Sequence, residues 1–377
     1  MKPRVLLVGR TRYRLPLAPA LARKFDALET EVDLRVLASE GAGSAAADSR
    51  FRLVRRFSVE RLDGLAFWSS LPYRIARHLR DFRPDAVVAQ SPYEAAAALV
   101  ARSLARSDAR LVVEVHGDWR TATRLYGSPW RRLLAPVGDG LAVAALRRAD
   151  AVRTVSDYTT ALVREAGLEP ADTFPAFMDL DPFLAAPPVP LPTRPQVLFV
   201  GVLELYKNVD GLASAWRLAA PRVARARLRI VGSGSREAAV RELVAELPDQ
   251  TSWSRRLEPD EVVRALDEST ALVLPSRSEG MGRVVVEAFC RGRPVIGARV
   301  GGIPDLVRDG ESGLLVEPDD ASALADAIVR LLEDAELAGR LGTNARATVD
   351  SWLDAPAAYA AELRALVENP APTLRPG

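Results

Sequence analysis

Two α/β domains, each a doubly wound parallel sheet, are what this sequence predicts. Three observations carry the expectation. The chain has 377 residues, which at roughly 100–200 residues per domain is enough for two. Short continuous apolar runs alternate with longer stretches of helical period, the pattern of strands buried on both faces between covering helices. That alternation breaks at a cluster of prolines and then starts again.

The elements follow in order. Residues 5–8, 34–37, 86–89, 111–115 and 152–155 are mostly apolar runs too short for helices and read as strands. Helical periodicity fills 17–28, 94–104 and 138–148 between them. Pro182, Pro187, Pro188, Pro190, Pro192 and Pro195 exclude a helix over 182–195 and suit a linker, dividing the chain into domains at 1–185 and 186–354. Beyond it, 197–200, 228–231, 271–274, 295–296 and 314–316 read as strands, with helices over 214–220, 237–247, 260–267, 284–291 and 321–334. In such sheets ligands bind at the carboxyl ends of the strands, so two domains predict a site in a cleft between them, closing about the proline hinge.

Composition narrows the class. With 48% apolar and 27% charged residues the chain is an ordinary globular protein, neither disordered nor fibrous. Cys290 is the only cysteine, so a disulfide scaffold is excluded. Net charge is +2, from 51 basic and 49 acidic residues, but it is unevenly spread. Residues 1–190 hold 28 basic and 22 acidic groups, and the remainder 23 and 27. The first half should attract anions more than the second, as a solvated arginine-rich surface, an anionic acceptor site or a membrane-facing surface. Only Lys2, Lys24 and Lys207 are lysines; the other basic residues are arginines.

No window approaches the roughly 18–20 apolar residues of a membrane span, and the start of the chain lacks a signal-peptide pattern, so a cytoplasmic protein is expected. Two stretches, 67–74 with Arg77 and Arg80, and 130–134, combine aromatic and basic residues. That mixture suits an interfacial helix on the inner membrane face, and equally a half-buried helix.

The densest chemistry lies in 276–288. A strand ends near Pro275, a loop with Gly280 and Gly282 follows, and a helix begins near Arg283. The glycines let backbone N–H groups approach a ligand, and the helix N-terminus favours anions or sugar oxygens. Glu279 in the loop and Glu287 in the helix can each accept two hydroxyls, as from a sugar ring or a ribose diol. Glu287 lies among apolar residues, where a carboxylate needs a partner.

This segment resembles the Glu-x7-Glu signature of glycosyltransferase family 4. Residues 293–297, 301–307 and 309–316 are similar to the strands and loops that follow it, and the continuous resemblance covers 197–335. The resemblance implies the GT-B fold, two Rossmann-like domains, with the 355–377 stretch packing back on the first. It implies a retaining transferase that moves a sugar from a nucleotide-diphosphate sugar to a glycan, lipid-linked or small-molecule acceptor, with no cofactor and no bound metal. By the same resemblance Glu279 holds the transferred sugar, Glu287 the ribose, and Gly280, Met281, Gly282 and Arg283 line the sugar-phosphate pocket.

Lys207 matches the family lysine that neutralises the departing diphosphate, in the loop opened by Gly201. Val202 stands where the family has an arginine; Arg277, Arg283 and Arg236 are the candidates to replace it, with Arg283 best placed. Gly232 and Gly234 resemble the loop near the phosphates, and Arg256 falls in the stretch 253–257 that meets the nucleobase. In the first half His116 is a strand-end histidine that fits the acceptor-side cleft, a catalytic candidate that the family places near the donor sugar and phosphate, or else a packed structural residue. Asp118, with Arg10 and Arg12 after the first strand, are acceptor-side candidates, although a solvated loop fits the two arginines as well. His78 reads as a surface residue.

Cys290 is alone, no His/Cys pair has metal-ligand spacing, and Asp179 and Asp181 form the only Asp-x-Asp. Nothing reads as a nucleic-acid module. Two other functions stay open: an epimerase or hydrolase of nucleotide sugars on the same fold, and a non-catalytic nucleotide-sugar-binding subunit.

Overall fold

The computed structural model describes residues 1–55, 60–125, 129–352 and 356–368, with the side chains of 60–63, 65, 122, 123, 125, 129–134, 351 and 352 outside that set. The chain divides into two compact units, Met1–Phe177 with Asp354–Gly377, and Met178–Leu353.

The first unit is a seven-stranded parallel sheet. Its strands are β1 (Arg4–Tyr13), β2 (Asp33–Glu40), β3 (Phe51–Val54), β4 (Ala86–Ala89), β5 (Arg110–Val115), β6 (Ala151–Thr154) and β7 (Asp172–Thr173), in the order β3-β2-β1-β4-β5-β6-β7. Strand β4 and the first half of β1 are buried on both faces, which is why they read as unbroken apolar runs. One face is covered by Phe67, Leu71, Ile75 and Leu79 of the helix Glu60–Asp81 and by alanines of the helix Pro92–Ala105. The other is covered by Phe25 and Leu28 of the helix Pro19–Glu31 and by Tyr359, Leu363 and Leu366 of the helix Pro356–Glu368. That last helix is tied down by Arg364–Glu31 (3.1 Å) and by Arg110, whose Nη1 donates to the carbonyls of Val367 (3.0 Å) and Glu368 (2.6 Å).

The second unit is a six-stranded parallel sheet of β8 (Gln196–Val200), β9 (Arg227–Val231), β10 (Thr251–Ser254), β11 (Ala271–Leu274), β12 (Val295–Ala298) and β13 (Gly313–Val316), in the order β10-β9-β8-β11-β12-β13. Trp216 is fully buried at its core and donates from its ring nitrogen to Thr251 Oγ1 (3.1 Å).

Every strand the sequence predicts is present. Three more, β3, β7 and β10, show no continuous apolar run, and all three are sheet edges with one flank toward solvent. Strand β1 also runs further than expected. Its pairing with β2 slips between Val8 and Arg12, so Arg10 and Arg12 stand on strand rather than in a loop. The proline-rich run is fastened to the second unit by two buried arginines. Arg291 donates to the carbonyls of Phe183 (3.1 Å), Ala186 (2.6 Å) and Pro187 (3.0 Å), and Arg293 to those of Val189 (3.0 Å) and Pro190 (3.2 Å).

Among the described residues no helix is long and apolar enough to cross a membrane. In 67–74, Phe67 and Leu71 face the core and Trp68 packs edge-on against Phe67 and Tyr93, leaving Tyr73, Arg74 and Arg77 outward. The side chains of 130–134 lie outside the described residues.

Candidate active site

Three loops of the second unit, each following a strand, assemble around Lys207. After β8 the chain makes the short 3-10 turn Leu205–Lys207, closed by Lys207 N to Glu204 O (3.0 Å). Asn208, in the left-handed conformation, ends the turn and caps the helix Val209–Ala219 through Oδ1 and Gly211 N (3.2 Å). The turn is clamped from β11's loop: Arg277 N donates to Tyr206 O (2.7 Å) and Arg277 Nη1 to Leu205 O (2.8 Å). So held, Lys207 forms an ion pair through Nζ with Glu279 Oε2, the side chains 11% and 14% exposed, and Ser276 Oγ donates to the same oxygen (3.3 Å). These two candidates, 72 positions apart in sequence, therefore meet directly.

The Glu279–Gly282 loop rests on the glycine pair Gly301 and Gly302. Gly302 N donates to Glu279 O (3.0 Å). Gly301 has φ +57°, and a Cβ there would lie 2.0 Å from Glu279 O, so no other residue allows this approach. Gly282 begins the helix Arg283–Cys290, Met281 is buried beside it, and no side chain caps the helix, which leaves its first N–H groups for a ligand. One turn in, Glu287 is half-buried and accepts no hydrogen bond from a described residue. Burial pushes its carboxyl above the usual range, and the Arg283 charge opposes that shift.

Gly201 and Gly232 bring the loops after β8 and β9 together. Gly201 N donates to Val231 O (3.0 Å) and Leu203 N to Ser233 O (2.9 Å). A Cβ on Gly232 would fall 1.8 Å from Gly201 O. Gly234 lies over Leu203, and Glu204, a residue the sequence does not single out, accepts from Ser235 N (3.0 Å) and Oγ (2.6 Å) to hold the loop. Val202 is 47% exposed where the family arginine would stand. Of its three candidate replacements, Arg277 is committed to Leu205 and to Asp319 (2.6 Å), and Arg236 pairs with Asp210 (3.3 Å). Arg283 alone has no ion-pair partner among the described residues. Arg256 stands on the surface after β10, paired with Glu258 (3.2 Å).

In the first unit His116 lies just past β5, with Nε2 3.2 Å from Glu114 Oε2. Glu114 is buried and paired with the fully buried Arg153, whose charge holds the carboxyl well below the usual range against the burial that raises it. Arg153 in turn donates to the carbonyls of Phe174 (2.9 Å) and Pro175 (2.6 Å). His116 thus stands partly exposed on a rigid charged base. Asp118 is engaged locally, accepting from Arg120 N (2.8 Å) and Nε (3.1 Å). Arg10 and Arg12 are exposed on β1, and Arg10 N donates to the buried Glu94 (3.1 Å). Among the described residues no group of three or more His, Cys, Asp or Glu side chains could hold a metal ion.

Two parallel-sheet units with a glycine loop and glutamate-bearing helix after β11 define a protein of the GT-B fold. A family model described as glycosyl transferases group 1 matches residues 186–348, and one described as a glycosyl transferase 4-like domain matches 15–175. The chain belongs to glycosyltransferase family 4. It is 35% identical over 191 residues to a D-inositol 3-phosphate glycosyltransferase of Corynebacterium glutamicum, a stretch covering 48% of this chain and 44% of that protein. It spans less than half the length of the first curated relatives it matches. In fold it is similar to sucrose-phosphate synthase from Thermosynechococcus elongatus, with TM-score 0.76 and 21% identity over 96% of this chain and 98% of that one. It is also similar to the Anabaena protein HepE, solved in complex with UDP-glucose, with TM-score 0.69 and 19% identity over 96% and 99% of the two chains.

Proposed function

We propose that this protein transfers a sugar from a nucleotide-diphosphate sugar to an acceptor hydroxyl with retention of anomeric configuration. The observation that carries the reading is the Lys207–Glu279 pair beside a helix N-terminus without a side-chain cap and Glu287, to which no described residue donates. A nucleotide sugar presents two hydroxyls of ribose, a diphosphate and a ring of hydroxyls, and this unit offers a carboxylate, a lysine with free helix N–H groups, and a second carboxylate. Lys207 neutralises the charge that grows on the diphosphate as the C1–O bond to phosphorus breaks. The acceptor oxygen forms its bond to C1 on the same face, and the departing diphosphate oxygen takes the acceptor's proton. Glu279 orients the sugar and Glu287 the ribose; Arg283 stands in for the family arginine. No resident metal enters the scheme, so a chelator should leave turnover unchanged. Acceptor recognition belongs to the first unit, with His116 at its strand end. Residence on the cytoplasmic membrane face would rest on Arg74, Arg77 and Tyr73, because the apolar residues of that helix are buried.

The test is incubation with UDP- and GDP-sugars, starting from UDP-glucose, with and without a broad acceptor panel, following the anomeric proton by NMR. Transfer with the donor's own configuration is expected. An inverted product refutes the same-face step, and an epimerised donor without acceptor refutes the transferase reading. The exposed Val202 motivates the other reading, a nucleotide-sugar-binding subunit without activity. Donor binding with no turnover of any kind supports that one.

A further inference from the structure

A second charged feature lies in the first unit, away from the strand ends that carry His116 and Arg10. Strand β3 is short and closes the edge of the sheet, and the helix Glu60–Asp81 passes beside it. Between them opens a trough of about 550 Å³ lined by Arg35 and Leu37 of β2, Arg52 of β3, and Ser70, Tyr73, Arg74, Arg77, His78 and Asp81 of the helix. The parallel register sets Leu37 opposite Arg52 and so brings Arg35 and Arg52 to one end of the sheet.

The charge in this trough is unbalanced. Among the described residues, four guanidinium groups face a single carboxylate, and the Arg77–Asp81 pair (3.3 Å) is well exposed and weak. Among the described residues, Arg52 donates to the carbonyls of Ser49 (2.8 Å) and Phe51 (2.9 Å), and Arg74 Nε to the neutral Ser70 Oγ (3.0 Å). Arg35 stacks over Phe82 at 4.1 Å with its Nη1 3.5 Å from His78 Nδ1. Arginine is always charged, so these cations cannot relieve one another by losing protons. Burial and the charges of Arg52 and Arg4 lower even the Arg35 pKa, against Asp33 and Asp81. His78 is not the surface residue the sequence suggests. Burial, with Arg35, Arg52 and Arg77 against Asp81, pushes its pKa down to about 4. Guanidinium N–H forks left largely uncompensated by carboxylates are suited to the recognition of phosphate oxygens.

We propose that this trough is a binding site for a phosphate or diphosphate group, carried by a molecule other than the sugar donor, with the exposed Tyr73 ring beside it to cover the attached organic part. The inference does not rest on the donor reading, since none of its residues belongs to the second unit.

The chain contains only two histidines, His78 and His116, so their imidazole C–H resonances report on two places at once. The experiment titrates the whole chain with inorganic pyrophosphate at ~0.15 M salt, where weak surface pairing is screened. His78 should shift saturably and its titration midpoint should rise, because a bound anion favours the imidazolium. His116 should follow a different isotherm or none. Arg74→Ala and Arg52→Ala should each weaken pyrophosphate binding at His78 by about tenfold or more, the loss of a charge-assisted hydrogen bond. Thermal midpoints close to wild type would show that both variants fold. A His78 signal that pyrophosphate leaves unmoved, or that shifts equally in wild type and both variants, overturns the proposal. Cosedimentation with phosphatidylglycerol but not phosphatidylcholine vesicles, lost in Arg74→Ala, places the phosphate on a lipid. Pyrophosphate binding without cosedimentation places it on a soluble molecule, and either result supports the site.

Discussion

Glu287→Gln separates a binding residue from a structural one, because the two roles predict opposite changes in stability. The side chain is half-buried, its pKa is raised by burial, and no described residue donates to it. Held there at neutral pH, an ionised carboxylate costs the unliganded fold about 1 kcal/mol, a cost that an amide of the same shape removes. The gain has a definite sign with pH. A carboxyl whose folded pKa is raised stabilises below its unfolded value and loses that contribution as pH rises through the folded one. The variant should therefore match wild type in acid and exceed it at neutral pH, by roughly 3 °C for a unit of this size. Nucleotide affinity should move the other way. Two ribose hydroxyls donating to a carboxylate are replaced by one neutral hydrogen bond, a loss of about 3 kcal/mol or a little over a hundredfold in Kd. Differential scanning calorimetry with and without nucleotide, and isothermal titration, measure both. A variant that melts lower than wild type without ligand, with unchanged nucleotide affinity, refutes the reasoning.

Other outcomes follow from the same geometry. Lys207→Ala should lower kcat by ~10²–10³; adding Glu279→Gln should restore thermal stability without restoring kcat, and turnover within tenfold of wild type would remove Lys207 from the mechanism. Gly301→Ala demands a left-handed alanine, at least ~1 kcal/mol, and drives its Cβ into Glu279 O, so a wild-type melting temperature would contradict the described loop packing. Glu114→Ala leaves Arg153 charged and buried, and should cost ~3–5 kcal/mol in denaturant unfolding; a loss under ~1 kcal/mol would mean the pair is not desolvated as described.

Legibility in the sequence tracks burial. The ten predicted strands stand out because they are mostly apolar and, apart from the edge strand β13, lie inside a sheet, whereas β3, β7 and β10 are edges of mixed composition. The Glu279–Glu287 loop is legible because its glycines and carboxylates are local in sequence. Glu114 gave a usable signal, since a carboxylate inside the buried run 111–115 must have a partner, but nothing in the order of residues points to Arg153, 39 positions away. The stretch 67–74 leaves two readings open, an interfacial or a half-buried helix, and only its neighbours show that Phe67 and Leu71 turn inward.

The sequence by itself determines the repeated α/β plan, the family, and which residue types could hold a nucleotide sugar, because periodicity and short motifs are properties of neighbouring residues. Tertiary structure decides which charges meet. Lys207 finds Glu279, Arg277 is taken up by the backbone of Leu205, and Arg283 has no ion-pair partner among the described residues. Arg35, Arg52 and Arg74 crowd into one trough that composition alone shows only as an excess of arginine. Electrostatic energy depends on distance and burial, and both are set by the packing of segments far apart in the chain.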